Sequence, residues 1–132
     1  MIAGMTPVLK DGRFQFVTCT AENAATQAAL TAQALALFHE DEGVSLVVPS
    51  TAARAAGVLD GPDMAQITLN VYSDLEGIGL TAAVAEALAA RGIPANVIAA
   101  FHHDHVFVPH ARGAEALEIL QRLQAEAAAK TS

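Results

Sequence analysis

The chain has 132 residues, of which 53% are hydrophobic and 16% are charged, so it carries enough apolar side chain for a packed core. Its 14 acidic residues outnumber 7 basic ones and give a net charge of −7, which removes the electrostatic attraction that nucleic-acid binding depends on. A single cysteine, Cys19, allows no internal disulfide and no run of about 18 apolar residues is present, so we expect a soluble, cytoplasmic protein with neither a membrane nor a nucleic-acid partner.

The chain opens with two predicted strands on either side of the turn Asp11-Gly12. After the turn, Phe14 and Phe16 alternate with other residues, which is typical of a strand. We therefore expect the two strands to form a hairpin. The Ala-rich segment from Ala21 to Thr31 follows, and its composition favours a helix.

A second hairpin is predicted around the acidic tip EDEG. Its strands are expected at Ala34–Phe38 and Val44–Val48. Consecutive carboxylates at a hairpin tip are typical of a solvated sheet edge, so the tip is not predicted to hold a cation. Ser50 is then expected to cap a short helix, which Gly57 ends.

The second half begins with an alternating strand. In the run ITLNVYS, from Ile67 to Ser73, apolar residues take every second position, and Thr68, Asn70 and Tyr72 lie between them. Because side chains alternate between the two faces of a strand, this pattern predicts one buried face and one more polar face.

An amphipathic helix is predicted from Leu80 to Arg91, because its apolar residues recur on one stripe and Gly92 supplies a stop. Strands are expected at Asn96–Phe101 and His105–Val108. A last helix from Gly113 to about Ala127 has apolar residues at helical spacing. The element order of this half is therefore β-α-β-β-α.

Two segments of similar sequence indicate a repeat. ALFHEDEGVSLVVP, which ends at Pro49, returns as AAFHHDHVFVP, which ends at Pro109. We place the boundary near Met64 and predict two units, residues 1–64 and 65–132. The predicted class is α+β, with two ferredoxin-like (βαββαβ) units packed as a tandem pair, and each unit has an antiparallel sheet with helices on one face.

The loop SDLEGIGLT, between the alternating strand and the next helix, is the first candidate ligand site. Its glycines let the backbone turn closely, and the amides that begin the helix favour a carboxylate. Asp74 and Glu76 offer acceptors for an ammonium group, so the loop suits an amino-acid zwitterion. The alternative is that Ser73 and Glu76 cap a helical turn and the glycines only connect elements. The candidate residues are Ser73, Asp74, Leu75, Glu76, Gly77, Ile78, Gly79, Leu80 and Thr81.

The segment FHHDH is the second candidate. If His103 and Asp104 form a two-residue turn, His102 and His105 lie opposite each other across a hairpin, and such a pair can ligate zinc or copper. With a third ligand, the alternative metal set is His102, Asp104 and His105. The other interpretation is a polar hairpin tip with an aspartate at the turn. The sequence favours this second interpretation, because the matching tip of the first half lacks the extra histidines, so we expect no metal and no cofactor.

Five runs carry a resemblance to a known family: GMTPVL, RFQFVTCT, FHEDEGVSLVVP, ITLNVYSDLEGIGLTAAVAEALAARGIPANVIA and HHDHVFVP. In this order they resemble small bacterial proteins built from ACT-like domains. The resemblance implies a tandem ACT-like fold and, as in the wider superfamily, binding of amino acids and regulation of metabolic enzymes. Effectors in that superfamily commonly occupy a strand-to-helix loop such as the one from Ser73 to Thr81.

The leading hypothesis is a non-catalytic regulatory protein that senses a small molecule, an amino acid above all. No nucleophile elbow is present, so no catalytic residue is predicted. One alternative is a metal-binding protein or metal-dependent enzyme that uses the FHHDH hairpin. Another is a purely structural dimerisation module. Because Thr68, Asn70 and Tyr72 predict a polar sheet face, a homodimer is expected to join edge strands side by side.

Overall fold

The computed structural model describes residues 2–59, 61–70 and 79–131. Strands and helices account for most of them. The strands are β1 (Pro7–Leu9), β2 (Phe14–Cys19), β3 (Ala36–Glu40), β4 (Gly43–Pro49), β5 (Met64–Leu69), β6 (Asn96–Ala99) and β7 (Asp104–Pro109). The helices are α1 (Ala24–Thr31), α2 (Ser50–Ala55), α3 (Leu80–Ala89) and α4 (Gly113–Thr131). Within the described ranges, no helix is both long and apolar enough to cross a membrane.

The chain forms two compact units. The continuous unit consists of Gly12–Met64. The discontinuous unit joins Met1–Asp11 to Ala65–Ser132. The first eleven residues therefore belong to the same unit as the second half of the chain.

The continuous unit contains an antiparallel sheet of strand order β3-β4-β2. Leu37 of β3 pairs with Leu46 of β4, and Leu46 also pairs with Val17 of β2. The predicted second hairpin and the predicted first helix are both confirmed. Helices α1 and α2 add Leu30 and Ala53 to a core that also holds Cys19, which is buried.

The start of α2 differs from the prediction. Ser50 is the first residue of the helix and not its cap, because Pro49 occupies the N-cap position. The Ser50 hydroxyl instead donates to Oδ1 of Asp63 at 2.8 Å, and the Gln15 amide donates to the same oxygen at 2.8 Å. Gln15 also donates to the carbonyl of Gly61 at 2.9 Å. These bonds fasten the segment after α2 to strand β2.

The discontinuous unit contains strands in the order β1-β5-β7-β6. Strand β1 runs antiparallel to β5, with Pro7 opposite Leu69 and Leu9 opposite Ile67. The predicted hairpin of the first two strands is therefore wrong, since β1 pairs with β5 while β2 pairs with β4. The Lys10 amide donates to the Gln66 carbonyl at 2.8 Å, which continues the pairing up to the turn at Asp11.

Helices α3 and α4 share one core with this sheet. The buried residues of α3 are Leu80, Val84 and Leu88, which confirms the predicted apolar stripe. Ala116 and Leu120 of α4 pack in the same cluster. The observed order β5-α3-β6-β7-α4 confirms the predicted β-α-β-β-α pattern, and β1 supplies the additional strand.

Strand β5 is buried on both faces, so the face predicted to be more polar carries polar side chains but is not exposed. All six of its residues are buried, including Gln66 and Thr68. Polar side chains tolerate burial when they are hydrogen-bonded, and both of these residues bond to His105 of β7. Asn70, the next polar position, is exposed.

Candidate functional site

The candidate loop from Ser73 to Thr81 lies only partly within the described residues. Its first six positions, Ser73, Asp74, Leu75, Glu76, Gly77 and Ile78, fall outside them, as does Tyr72 before it. Gly79, Leu80 and Thr81 are described. They form the junction at which the loop enters α3.

Gly79 occupies the N-cap position of α3 with a φ of 102°. This left-handed conformation is one that glycine adopts without strain. Its carbonyl accepts the amide of Ala83 at 2.9 Å, which is the first backbone bond of the helix. The amides of residues 80–82 have no acceptor inside the helix, and Gly79 has no side chain to supply one. Because these amides carry the positive end of the helix dipole, they can bind a carboxylate.

The position of Gly79 bears on the alternative interpretation, in which Ser73 and Glu76 cap a helical turn. The predicted capping pair, Ser73 and Glu76, does not occupy the N-cap of α3, since that position belongs to Gly79. A capping role for the pair elsewhere involves residues outside the described ones. The role of the nine candidate positions in ligand binding stays a prediction.

One unusual residue near the end of β5 was not predicted from the sequence. Thr6 has a φ of 41°, and within the described residues it is the only non-glycine residue with positive φ. Its carbonyl accepts the amide of Asn70 at 3.3 Å, so it lies beside the first residue after β5. A β-branched residue in this conformation is strained, and such strain clusters at functional sites. Nothing in the run GMTPVL predicts it.

The histidine-rich hairpin does not have the predicted register. Ala99 pairs with Asp104 and Ile98 pairs with His105, so residues 100–103 form the turn and the Ala100 amide donates to the His103 carbonyl at 3.0 Å. His102 lies in this turn, exposed, with its ring edge-to-face on Phe101 at 5.0 Å. It is not opposite His105, so the pairing on which the metal set His102, Asp104 and His105 was based is wrong. Among the residues described, no group of three or more potential metal ligands is found.

His105 instead belongs to a polar cluster on β5 and β7. Its Nδ1 atom lies 3.0 Å from Oγ1 of Thr68 and 3.1 Å from Nε2 of Gln66. Because an amide nitrogen can only donate, this contact fits the neutral ring with its proton on Nε2. Burial lowers the pKa of His105, the positive charges of His103 and Lys10 lower it further, and Asp104 opposes them. The arrangement therefore favours an uncharged imidazole.

The acidic tip of the β3–β4 hairpin lies on the surface. Glu40, Asp41 and Glu42 are all exposed, and Glu40 accepts a hydrogen bond from the Ser45 hydroxyl on the neighbouring strand. This placement agrees with the predicted solvated edge.

Comparison with known proteins identifies the domains. Two models of the ACT domain match the chain, one over residues 1–64 and the other over residues 63–122. No curated protein sequence matches it. A solved structure from Vibrio cholerae, described as a protein of unknown function and possible transport protein, is 36% identical to the chain, with a TM-score of 0.81. That match covers 93% of this chain and 92% of the Vibrio chain.

Two more distant structures share the fold. The ligand-free regulatory subunit of aspartate kinase from Thermus thermophilus has 15% identity and a TM-score of 0.67, over 91% of this chain and 97% of its own. A protein from Agrobacterium tumefaciens has 15% identity and a TM-score of 0.68, over 89% of this chain and 87% of its own. The predicted α+β fold of two ferredoxin-like, ACT-like units in tandem is confirmed.

Proposed function

The chain belongs to the ACT-domain family, and on that premise we propose that it is a non-catalytic regulatory protein that binds a small-molecule effector, an amino acid. The observation that carries this proposal is the presence of two ACT domains, which match residues 1–64 and 63–122 and together span most of the chain. The regulatory subunit of aspartate kinase, which shares the fold, supports the same assignment.

The proposed effector site is the loop from Ser73 to Thr81. Its chemistry suits both ends of an amino acid. The amides in the first turn of α3 are donors for the carboxylate, because the N-cap residue Gly79 has no side chain to accept their hydrogen bonds. Asp74 and Glu76 carry the acceptors for the ammonium group, and an ion pair with it would be charge-assisted.

Calorimetric titration of the intact chain with each of the twenty amino acids, beside thermal unfolding, tests this function. A true effector raises the melting temperature, because it binds only the folded state. We expect Asp74→Asn to weaken binding about tenfold, the contribution of one charge-assisted hydrogen bond. Asp41→Asn is the matched control, since Asp41 is an exposed carboxylate at the tip of the β3–β4 hairpin. If no amino acid binds or raises the melting temperature, the proposal fails.

A second candidate function is self-association. Strand β3 is the free edge of the continuous unit's own sheet, and it carries exposed apolar side chains. Within the strand, Leu37 is 37% exposed and Phe38 is 71% exposed, and Leu35 just before it is 43% exposed. An edge strand with unpaired backbone groups and apolar side chains is suited to pairing with another strand. A homodimer through β3 is compatible with effector binding and gives the chain its second proposed partner, another copy of itself.

A further inference from the structure

Four side chains of the discontinuous unit lie on the sheet face opposite its helices. Leu9, Ile67 and Val106 pack toward the helices in the core. Because side chains alternate along a strand, Gln66, Thr68 and His105 occupy the other face. Lys10 follows Leu9 and bonds through its amide to Gln66, so it occupies this face as well. Neighbouring strands thus form a row of polar side chains: Lys10, Gln66, Thr68 and His105.

The buried members of this row hold the imidazole in place. Gln66 and Thr68 are 7% and 4% exposed, and both contact Nδ1 of His105. With Nδ1 engaged, the free donor of the ring is Nε2-H. His105 itself is only partly buried and Lys10 is exposed, so both residues are accessible to solvent.

Charges of both signs act on His105 in this chain of net charge −7. His103 and the ammonium of Lys10 lower the pKa of His105, and the carboxylate of Asp104 raises it. Among the described residues the ion pairs involve Arg13, Arg112 and Arg122, and Lys10 takes part in none of them. The carboxylate nearest in sequence, Asp104, lies one position before His105, on the face that carries Val106. No acidic side chain of the row therefore neutralises Lys10.

We propose that Lys10 and His105 form a binding site for a small oxyanion, the carboxylate or phosphate group of a metabolite. The ammonium of Lys10 supplies charge and the Nε2-H of His105 supplies a directed donor. This site is separate from the loop between Ser73 and Thr81. It does not depend on the function proposed for that loop.

Anion binding at this site is linked to pH. A negative charge beside the ring favours the protonated imidazole, so the anion raises the pKa of His105, and binding strengthens as the pH falls. The charged groups that set the pKa of His105 before an anion binds are His103 and Asp104, next to it in sequence, and Lys10 beside β1. The facing positions on β5 and β6, Gln66, Thr68 and Ile98, are uncharged.

The test follows the histidine ring resonances by NMR while inorganic phosphate or sodium acetate is added at constant ionic strength. We expect saturable shifts at His105 and a raised His105 pKa in the bound state. Lys10→Gln should weaken binding about tenfold, as expected for the loss of a charge-assisted hydrogen bond. His105→Gln should abolish the pH dependence. Lys130→Gln and His110→Gln are the matched controls, since both positions lie outside the row.

Each outcome decides the proposal. Saturation by phosphate alone identifies a phosphate group as the ligand, and saturation by acetate identifies a carboxylate. A linear, non-saturating response at His105 overturns the site. If Lys10→Gln and Lys130→Gln weaken anion binding equally, the site is overturned too, because the effect would then come from the overall charge of the chain. Thermal unfolding of each variant shows that it is folded, and amino-acid titration of Lys10→Gln separates this site from the loop.

Discussion

Gly43 lies at the start of β4, where the chain has no room for a side chain. Its φ is 151°, and a Cβ atom built on it would lie 2.5 Å from the carbonyl oxygen of Cys19 on β2. Backbone on both sides of this contact is paired in the sheet, since Cys19 is opposite Val44. A methyl group at this position must therefore displace a strand.

We predict that Gly43→Ala destabilises the protein by at least about 2 kcal/mol, from the combined cost of overpacking and of a strained backbone. Chemical denaturation measures this loss as a lower midpoint. Gly4→Ala is the matched control, because Gly4 has an ordinary φ and a Cβ there meets nothing within 4 Å. Equal midpoints for the two variants would show that β2 and β4 can separate at this point without cost.

Two further residues show where local sequence patterns are insufficient. Ser50 begins an Ala-rich helix and has the chemistry of a cap, yet its hydroxyl binds Asp63, thirteen positions away. The hydrogen bond from the Gln15 amide is the main cause that lowers the pKa of Asp63, and that bond spans 48 positions. Sequence reasoning recognises caps because they are local. It has no signal for a carboxylate whose partners are brought together by folding.

The elements of the chain differ in how well their sequences predict them. Helix α3 was predicted because Leu80, Val84 and Leu88 lie on one face whatever surrounds the helix. The sequence did not predict the partner of β1, because the turn Asp11-Gly12 suits a hairpin. The observed pairing with β5 joins residues about sixty positions apart. Register was the other failure. A turn of four residues instead of two removes His102 from the place opposite His105, and the candidate metal site with it.

The edge strand β3 is the predicted contact between two copies of the chain. Phe38 is 71% exposed on this strand, and Phe101, its counterpart in the repeat, is 75% exposed beyond the end of β6. If β3 joins two copies, Phe38→Lys places like charges in the contact and exposes a lysine where edge strands use it to prevent pairing. We expect the mass measured by light scattering to fall from dimer to monomer.

The matched control for this prediction is Phe101→Lys. It removes an equally exposed aromatic ring and adds the same charge, but it leaves β3 unchanged. We expect this variant to keep the dimer mass. A wild-type chain that is monomeric at high concentration, or a Phe38→Lys variant that remains dimeric, rules out association through β3.

At the scale of the whole molecule, the two ACT-domain matches and the two compact units divide the chain differently. The family matches divide the sequence near residue 64, and the division into domains 1–64 and 65–132 stays a prediction. The discontinuous unit, however, includes Met1–Asp11. Met5 is fully buried in its core, Leu9 packs against the same cluster, and Gln124 of α4 donates to the Ala3 carbonyl at 2.9 Å. The first residues therefore complete the second half of the chain.

We predict that a fragment of residues 65–132 does not fold by itself. It lacks β1, which pairs with one edge of β5, and the loss of a buried methionine alone costs about 2–5 kcal/mol, against a total stability of about 5–15 kcal/mol for an ordinary domain. The lost packing of Leu9 adds to this deficit. We expect a poorly dispersed amide NMR spectrum and no cooperative thermal transition.

A permuted fragment, in which residues 2–11 follow residue 132 through a Gly/Ser linker, is the control. From Gln124 to its end at Thr131, α4 rises about 10 Å. A linker of about eight residues spans about 15 Å, so it allows the segment to return to its place beside Gln124. This fragment should fold cooperatively, and Met5→Ala in it should lower the melting temperature because it opens a cavity. Cooperative folding of residues 65–132 alone would contradict the prediction, since it would show that β1 is dispensable to the unit that contains it.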